Sequence, residues 1–217
     1  MGIRRKKKKR TIFHHAQSII AEEYDVIRTN IEFSSFEHNT RSVVISSPQK
    51  GEGKSVTAAN IAVSFAKQGK KILLIDGHVR NPTVHLLFQF KNCVGLSHIL
   101  TGQRKVEETT NRTSIEGLHV ITAGAIPYNT EELFRSVEMD RFMEQVYKLY
   151  DFVIVDGPPV LETPDTKMLA MKCDGVILVL KNNHTEDSAA VEAKKTLSIV
   201  KANILGAILN GKNSTAS

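Results

Sequence analysis

Six short, almost unbroken apolar runs rich in β-branched residues recur along the chain and alternate with stretches of helical periodicity. The runs are 42–46 (SVVIS), 71–75 (KILLI), 118–122 (LHVIT), 152–155 (FVIV), 176–180 (VILVL) and 204–209 (ILGAIL). A strand with one wet face shows a polar residue at every second position, and these do not. Continuous apolar character marks strands covered on both faces, as in a parallel sheet. Helical stretches fall between them at 55–68, 137–150, 165–172 and 186–201; in the last, Ala190, Ala193, Leu197 and Val200 share a face. This alternation predicts an α/β fold, a doubly wound, mainly parallel sheet with right-handed crossovers. Ahead of it, Ile19, Ile20, Tyr24, Ile27 and Ile31 recur at helical spacing. They predict an N-terminal helical extension over 16–34, ended by a polar break at 37–40.

Composition narrows the class. The chain has 217 residues, 41% hydrophobic and 24% charged, which excludes a mainly disordered or collagen-like chain. Two distant cysteines, Cys93 and Cys173, exclude a disulfide scaffold and disfavour a cysteine zinc site. The eight histidines show no ligand spacing. No apolar run is long enough to cross a bilayer, and Arg4-Arg5 lacks a following apolar segment, so a cytoplasmic protein is expected. The net charge of +6 comes from 29 basic and 23 acidic residues, but seven of the basic ones lie between Arg4 and Arg10; without them the balance is 22 against 23. This is a near-neutral domain with a basic arm. Such a run is either a solvated tail or a membrane-surface patch gaining roughly 1 kcal/mol per cationic residue. Nucleic acid is the weaker partner, because no aromatic residue interleaves the run for base stacking. The expected organisation is a basic flexible tail over 1–15, one domain over 16–210 and a flexible end over 211–217.

Chemistry concentrates after the first strand, at Ser46-Ser47-Pro48-Gln49-Lys50-Gly51-Glu52-Gly53-Lys54-Ser55. Gly51 and Gly53 permit a curl that turns backbone N–H groups inward, and a helix starting near Ser55 adds its positive end. Lys54 is placed to neutralise β- and γ-phosphates, and the Ser55 hydroxyl is a natural Mg²⁺ ligand. Pro48 stands where the strict phosphate-loop pattern has its first glycine, so the loop is a variant. Two further runs end in an acid, Leu73-Leu74-Ile75-Asp76 and Phe152-Val153-Ile154-Val155-Asp156. Carboxylates at the C-terminal edge of such a sheet stand where open α/β folds place ligands. Together they predict an Mg²⁺–nucleotide site.

These residues resemble a known family. The segments 47–55, 74–82 and Val153-Ile154-Val155-Asp156-Gly157-Pro158-Pro159 are similar to the Walker A, A′ and B motifs of bacterial tyrosine kinases of capsule and exopolysaccharide synthesis. Further matches are Gly95-Leu96-Ser97 to Leu100-Thr101-Gly102, Thr122-Ala123-Gly124 with Pro127 and Asn129, Asp174-Gly175-Val176, and Leu209-Asn210. The resemblance spans about residues 20–210, and its nearest type is the separate cytoplasmic kinase of Gram-positive bacteria. It implies a P-loop fold binding ATP and Mg²⁺, with Gly51, Glu52, Gly53, Lys54, Ser55 and Val56 as the nucleotide-binding stretch and Asn210 near the adenine. Ser55, Asp76 and Asp156 would organise the metal. Lys54, Asp76 and Arg80 would be catalytic: Asp76 on the metal or the tyrosine hydroxyl, Arg80 on phosphate or an acidic substrate. Implied partners are a membrane-anchored modulator protein, tyrosine-bearing protein substrates and further copies of the chain, with the arm holding it at the inner face of the plasma membrane.

Three positions depart from the family pattern. His78 stands where a second Walker A′ aspartate is usual, and a neutral imidazole is a poor substitute at a hard cation. The tyrosines are Tyr24, Tyr128, Tyr147 and Tyr150, so no C-terminal tyrosine cluster is expected to be phosphorylated. On the first helix, Glu22 and Arg28 match a Glu-x-x-Arg-x-x-Arg ring-contact spacing, but its middle position is Asp25. Three readings stay open: a protein-tyrosine kinase, a nucleotide-binding scaffold without turnover, and a positioning ATPase of the MinD/ParA type. Against the last, Gln49 occupies the place of that group's second loop lysine.

Overall fold

The structure, a computed structural model, describes residues 19–125 and 129–211. The basic arm, Pro127, Tyr128 and the end over 212–217 lie outside the described residues. Along the chain run α1 (Ile19–His38), β1 (Ser42–Ser46), α2 (Lys54–Lys67), β2 (Ile72–Asp76), α3 (Val84–Phe88), α4 (Leu96–Leu100), α5 (Val106–Thr109), β3 (Thr110–Arg112), β4 (Leu118–Ile121), α6 (Thr130–Arg135), α7 (Val137–Leu149), β5 (Phe152–Asp156), α8 (Asp165–Lys172), β6 (Gly175–Lys181), α9 (Asp187–Ile199) and β7 (Ile204–Asn210).

The seven strands form one sheet in the order β3-β4-β2-β5-β1-β6-β7, parallel except for β3 against β4. The apolar runs become these strands because successive side chains enter different layers. Val43 and Ile45 of β1 pack with α2, together with Phe152 and Ile154 of β5, whereas Val44, Val153 and Val155 face the opposite core beneath α6 to α9. Phe65 of α2 stacks on Phe152 with ring centroids 4.9 Å apart. At roughly 1.5–3 kcal/mol for each large apolar side chain removed from water, this two-sided burial dominates the fold's stability.

The expected strands and long helices appear within a few residues of their expected bounds. α1 runs four residues beyond the expected end and stops at Asn39, which turns left-handed at φ 50°. In α9 the inward face is Ala189, Ala193 and Leu197, one i, i+4, i+8 stripe, while Ala190 and Val200 sit half-buried at its margins. The short elements α3 to α6 and the edge strand β3 were not expected. β1 lies between β5 and β6, with β2 reached by crossing over β5. The C-terminal tips of β1, β2 and β5 therefore open at one place, the crevice where such sheets take ligands.

Candidate nucleotide site

β1 delivers the chain into the 47–53 loop, and α2 begins at Lys54. Gly51 and Gly53 adopt φ of 84° and 94°, the left-handed region that costs other residues about 1–2 kcal/mol. At Gly53 a Cβ would also lie 2.1 Å from Asn210 Nδ2. The loop is tied to the turn after β5. Ser46 Oγ donates to Pro158 O at 2.6 Å, Val160 N to Ser47 O at 2.8 Å, and Leu161 N to Pro48 O at 3.2 Å.

Lys54 is buried at 8% exposure, and Ser55 and Val56 follow it half-buried on the first turn of α2. Asn210, at the tip of β7, donates Nδ2 to Glu52 O at 2.9 Å. Val56 and Asn210 both line a groove of about 910 Å³ between α1 and β7. The Glu52 side chain points elsewhere: it is fully buried and accepts from Gln49 N at 2.8 Å and from the Thr185 hydroxyl. Its contribution to a ligand is therefore through its backbone and the loop shape it enforces.

The candidate metal residues converge. Asp76 and Asp156 are register partners on β2 and β5, both fully buried. Asp76 Oδ1 accepts from His78 N at 3.2 Å, and Oδ2 accepts from Thr83 N and Val84 N, each at 2.9 Å. Thr83 also donates its hydroxyl to Ser55 Oγ at 2.9 Å, joining Ser55 to the Asp76 loop. Burial, then the neighbouring Asp156 charge, pushes Asp76 up to about 7 despite its three N–H donors. A divalent cation relieves that repulsion, so the residues fit Mg²⁺. Among the described residues no three His, Cys, Asp or Glu side chains converge on one point. A cation here would thus take two carboxylates at most, a hydroxyl, and oxygens of nucleotide and water, the ligand set magnesium accepts.

His78 lies beside Lys54. Burial, then that ammonium, lowers its pKa to about 4 against the pull of Asp165, so the imidazole is neutral at pH 7. Arg80, half-exposed, donates Nε to Asp165 Oδ2 at 3.1 Å and a terminal nitrogen to Thr130 Oγ1 at 2.5 Å. Thr130 in turn donates to Asp165 Oδ1 at 2.8 Å. The sequence pointed to Arg80 alone; Thr83, Thr130, Asp165 and Thr185 carry no spacing signal that would have found them.

Among the described residues no tyrosine is exposed: Tyr24 and Tyr147 are half-buried and Tyr150 is buried. On α1, Asp25 accepts from Ser64 of α2, and Arg28 pairs with Glu32, which Lys70 contacts at 2.7 Å. Two of the three ring-contact positions thus make contacts within the chain.

A parallel sheet that sends its first strand into a glycine curl and then a helix, with acids on the two strand tips beside it, is the build of a P-loop nucleoside-triphosphate-binding domain. A family model described as an AAA domain matches residues 40–204. The chain is 44% identical over 196 residues to the tyrosine-protein kinase YwqD of Bacillus subtilis (strain 168), covering 90% of this chain and 83% of that protein. The crystal structure of the chimerical protein CapA2B2 superposes with a TM-score of 0.87 at 34% identity, covering 90% of this chain and 86% of that one. The chain belongs to the bacterial tyrosine-protein kinase family. The septum site-determining protein MinD of Pyrococcus horikoshii, solved with Mg-ADP, shares the fold at a TM-score of 0.65 and 24% identity, over 78% and 70% of the two chains.

Proposed function

We propose that this chain transfers the γ-phosphoryl group of magnesium-bound ATP to tyrosine hydroxyls of proteins that govern capsular or exopolysaccharide synthesis. The observation that carries the reading is the in-register pair of buried carboxylates, Asp76 and Asp156, at the mouth of the phosphate loop. Phosphoryl transfer needs positioning and charge neutralisation more than covalent chemistry.

When bound, Mg²⁺·ATP supplies the electrophilic phosphorus and part of the neutralising charge. Ser55, Asp76 and Asp156 would hold the metal. The loop N–H groups and the α2 N-terminus would receive the phosphates, with Lys54 to neutralise their charge. Asn210, whose Nδ2 is held by Glu52 O at 2.9 Å, would lie near the adenine, with its carbonyl oxygen left as the acceptor it could offer. Asp76 Oδ1 carries one hydrogen bond where Oδ2 carries two, so Oδ1 is the atom open either to the metal or to the incoming tyrosine hydroxyl. Asp165 and Thr130 hold Arg80 with half its side chain exposed, available to an acidic acceptor sequence.

Among the described residues Tyr24, Tyr147 and Tyr150 are packed into the fold, which supports an acceptor tyrosine on another protein. The basic arm between Arg4 and Arg10 supports a place at an anionic membrane surface beside a membrane-anchored modulator, although no described helix is long and apolar enough to cross a membrane. Neutralising the arm should release the chain to the soluble fraction. The test of activity is incubation with labelled ATP, Mg²⁺ and the modulator's cytoplasmic segment, read by mass spectrometry for phosphotyrosine. Labelling that disappears in Lys54→Met supports the reading; ATP binding with no phosphotyrosine would leave a nucleotide-dependent scaffold, the alternative that His78 allows.

A further inference from the structure

We propose that the turn between β6 and α9 is a clamp that holds the phosphate loop in its nucleotide-receiving curl, with Glu52 and Thr185 as positioning residues. The inference rests on the nucleotide reading above.

A carboxylate inside a loop that wraps a polyanion is electrostatically misplaced unless something turns it away. Here Glu52 is fully buried, and its two oxygens have different partners. One accepts Gln49 N at 2.8 Å and so closes the loop on itself. The other accepts the Thr185 hydroxyl, 133 residues further along. That hydroxyl already accepts Lys181 N at 2.8 Å, so its single proton is aimed at Glu52.

The grip extends beyond this pair. Lys181 Nζ reaches Gly51 O at 3.4 Å. Asn182 N donates to Asn210 O at 2.9 Å, and Asn210 donates to Glu52 O at 2.9 Å. Two consecutive loop residues, Gly51 and Glu52, are therefore held at three points from the tips of β6 and β7. The turn can bear this because it is itself fixed: Thr185 N donates to Lys181 O at 2.9 Å, and Asn183 takes φ 54°. A loop with two glycines at positive φ has many competing shapes, and ordering it only on binding weakens affinity. The clamp supplies that order before the nucleotide arrives.

Thr185 reaches the proposed site only through the Glu52 carboxylate, which is turned into the fold, and that makes it the clean place to test. Thr185→Val keeps the shape and removes the hydroxyl. Its Kd for Mg-ADP by calorimetry should rise roughly ten- to a hundred-fold, the range expected for losing one hydrogen bond to a charged group. KM for ATP should rise with it while kcat at saturating ATP is retained. Thr185→Ser keeps both hydrogen bonds and should bind as the wild type does. In the nucleotide-free protein, amide exchange at Gln49 should be faster in Thr185→Val and slow in both once Mg-ADP is added. If Thr185→Val does not fold, Glu52→Gln replaces it: one acceptor oxygen remains, and its affinity should lie between those of the wild type and Glu52→Ala. A Thr185→Val or Glu52→Ala protein that binds Mg-ADP with wild-type affinity overturns the clamp alone. A wild-type chain that takes up no Mg-ADP overturns the nucleotide reading and the clamp with it.

Discussion

Replacing Asp76 with asparagine should make the metal-free chain more stable while depriving it of magnesium-dependent nucleotide binding. In the folded chain Asp76 is raised to about 7, first by burial and then by Asp156; the reference value is 3.8. The folded state therefore holds the Asp76 proton more tightly than the unfolded state does. Below the unfolded value both states keep the proton and nothing is lost. As pH rises from 3.8 towards 7 the unfolded state releases it first, and stability falls. Above about 7 the whole penalty is present: the interval from 3.8, at 1.36 kcal/mol per pH unit, comes to about 4 kcal/mol. An uncharged asparagine avoids that penalty but keeps only one acceptor oxygen for three backbone donors, His78 N, Thr83 N and Val84 N. Losing a hydrogen bond there takes back about 1–2 kcal/mol. The net gain is about 2–3 kcal/mol at pH 8, or roughly 5–10 °C in Tm for a chain of this size. Thermal melts in EDTA at pH 8 and pH 4 test it, since the advantage should vanish at the lower pH. Added Mg-ADP should then raise the wild-type Tm and leave Asp76→Asn nearly unmoved. An Asp76→Asn protein that melts below the wild type in EDTA at pH 8 would refute the electrostatic argument.

Three other substitutions probe separate parts of the structure. Gly53→Ala forces a Cβ to 2.1 Å from Asn210 Nδ2 at φ 94°, so calorimetry should show nucleotide binding lost while circular dichroism shows the fold kept. Asp174 accepts Arg41 N at 2.8 Å, Ser42 N at 2.9 Å and Ser42 Oγ at 3.0 Å, at the end of β1 away from the loop. Asp174→Ala should lower urea stability by about 1–3 kcal/mol with Mg-ADP affinity intact; an unchanged urea midpoint would show that water replaces the carboxylate. His119, 2.9 Å from the Tyr150 hydroxyl, has its pKa lowered by burial and then by Arg112 and Lys71. Its neutral form suits the folded state, so stability is whole above about pH 6.5 and declines as pH falls towards the lowered value. His119→Gln should flatten that decline between pH 7.5 and 5.5, and equal slopes for the two proteins would count against it.

The legible part of this chain is the part whose evidence is local. A strand covered on both faces must be apolar throughout, so β1, β2, β5 and β6 stand out as uninterrupted runs, and an acid ending such a run stands out with them. β3 is three polar or charged residues, Thr110–Arg112, held by pairing with β4 rather than by any apolar pattern of its own. α3 to α6 are each six residues or fewer, too short to show a helical period. The same limit operates inside the site. Spacing told which residues stand in the phosphate loop but not which way they face. Glu52 counts as a loop residue by position, yet its carboxylate is claimed by Thr185. Asp25 reads as a reversed charge on an outer helix face, yet it accepts from Ser64 of α2. Arg80 reads as a catalytic cation, yet it stands half-exposed on supports from Thr130 and Asp165 at the starts of two other helices. In each case the deciding partner is 39 to 133 residues away. Direction is thus a tertiary property, and it sorts the motif into groups that face the crevice and groups that aim them. Lys54, Ser55, Asp76 and Asp156 surround the crevice themselves. Glu52, Thr83, Thr185 and Asp165 work one contact further out, which is why substitutions there should alter affinity and orientation before they alter the chemical step.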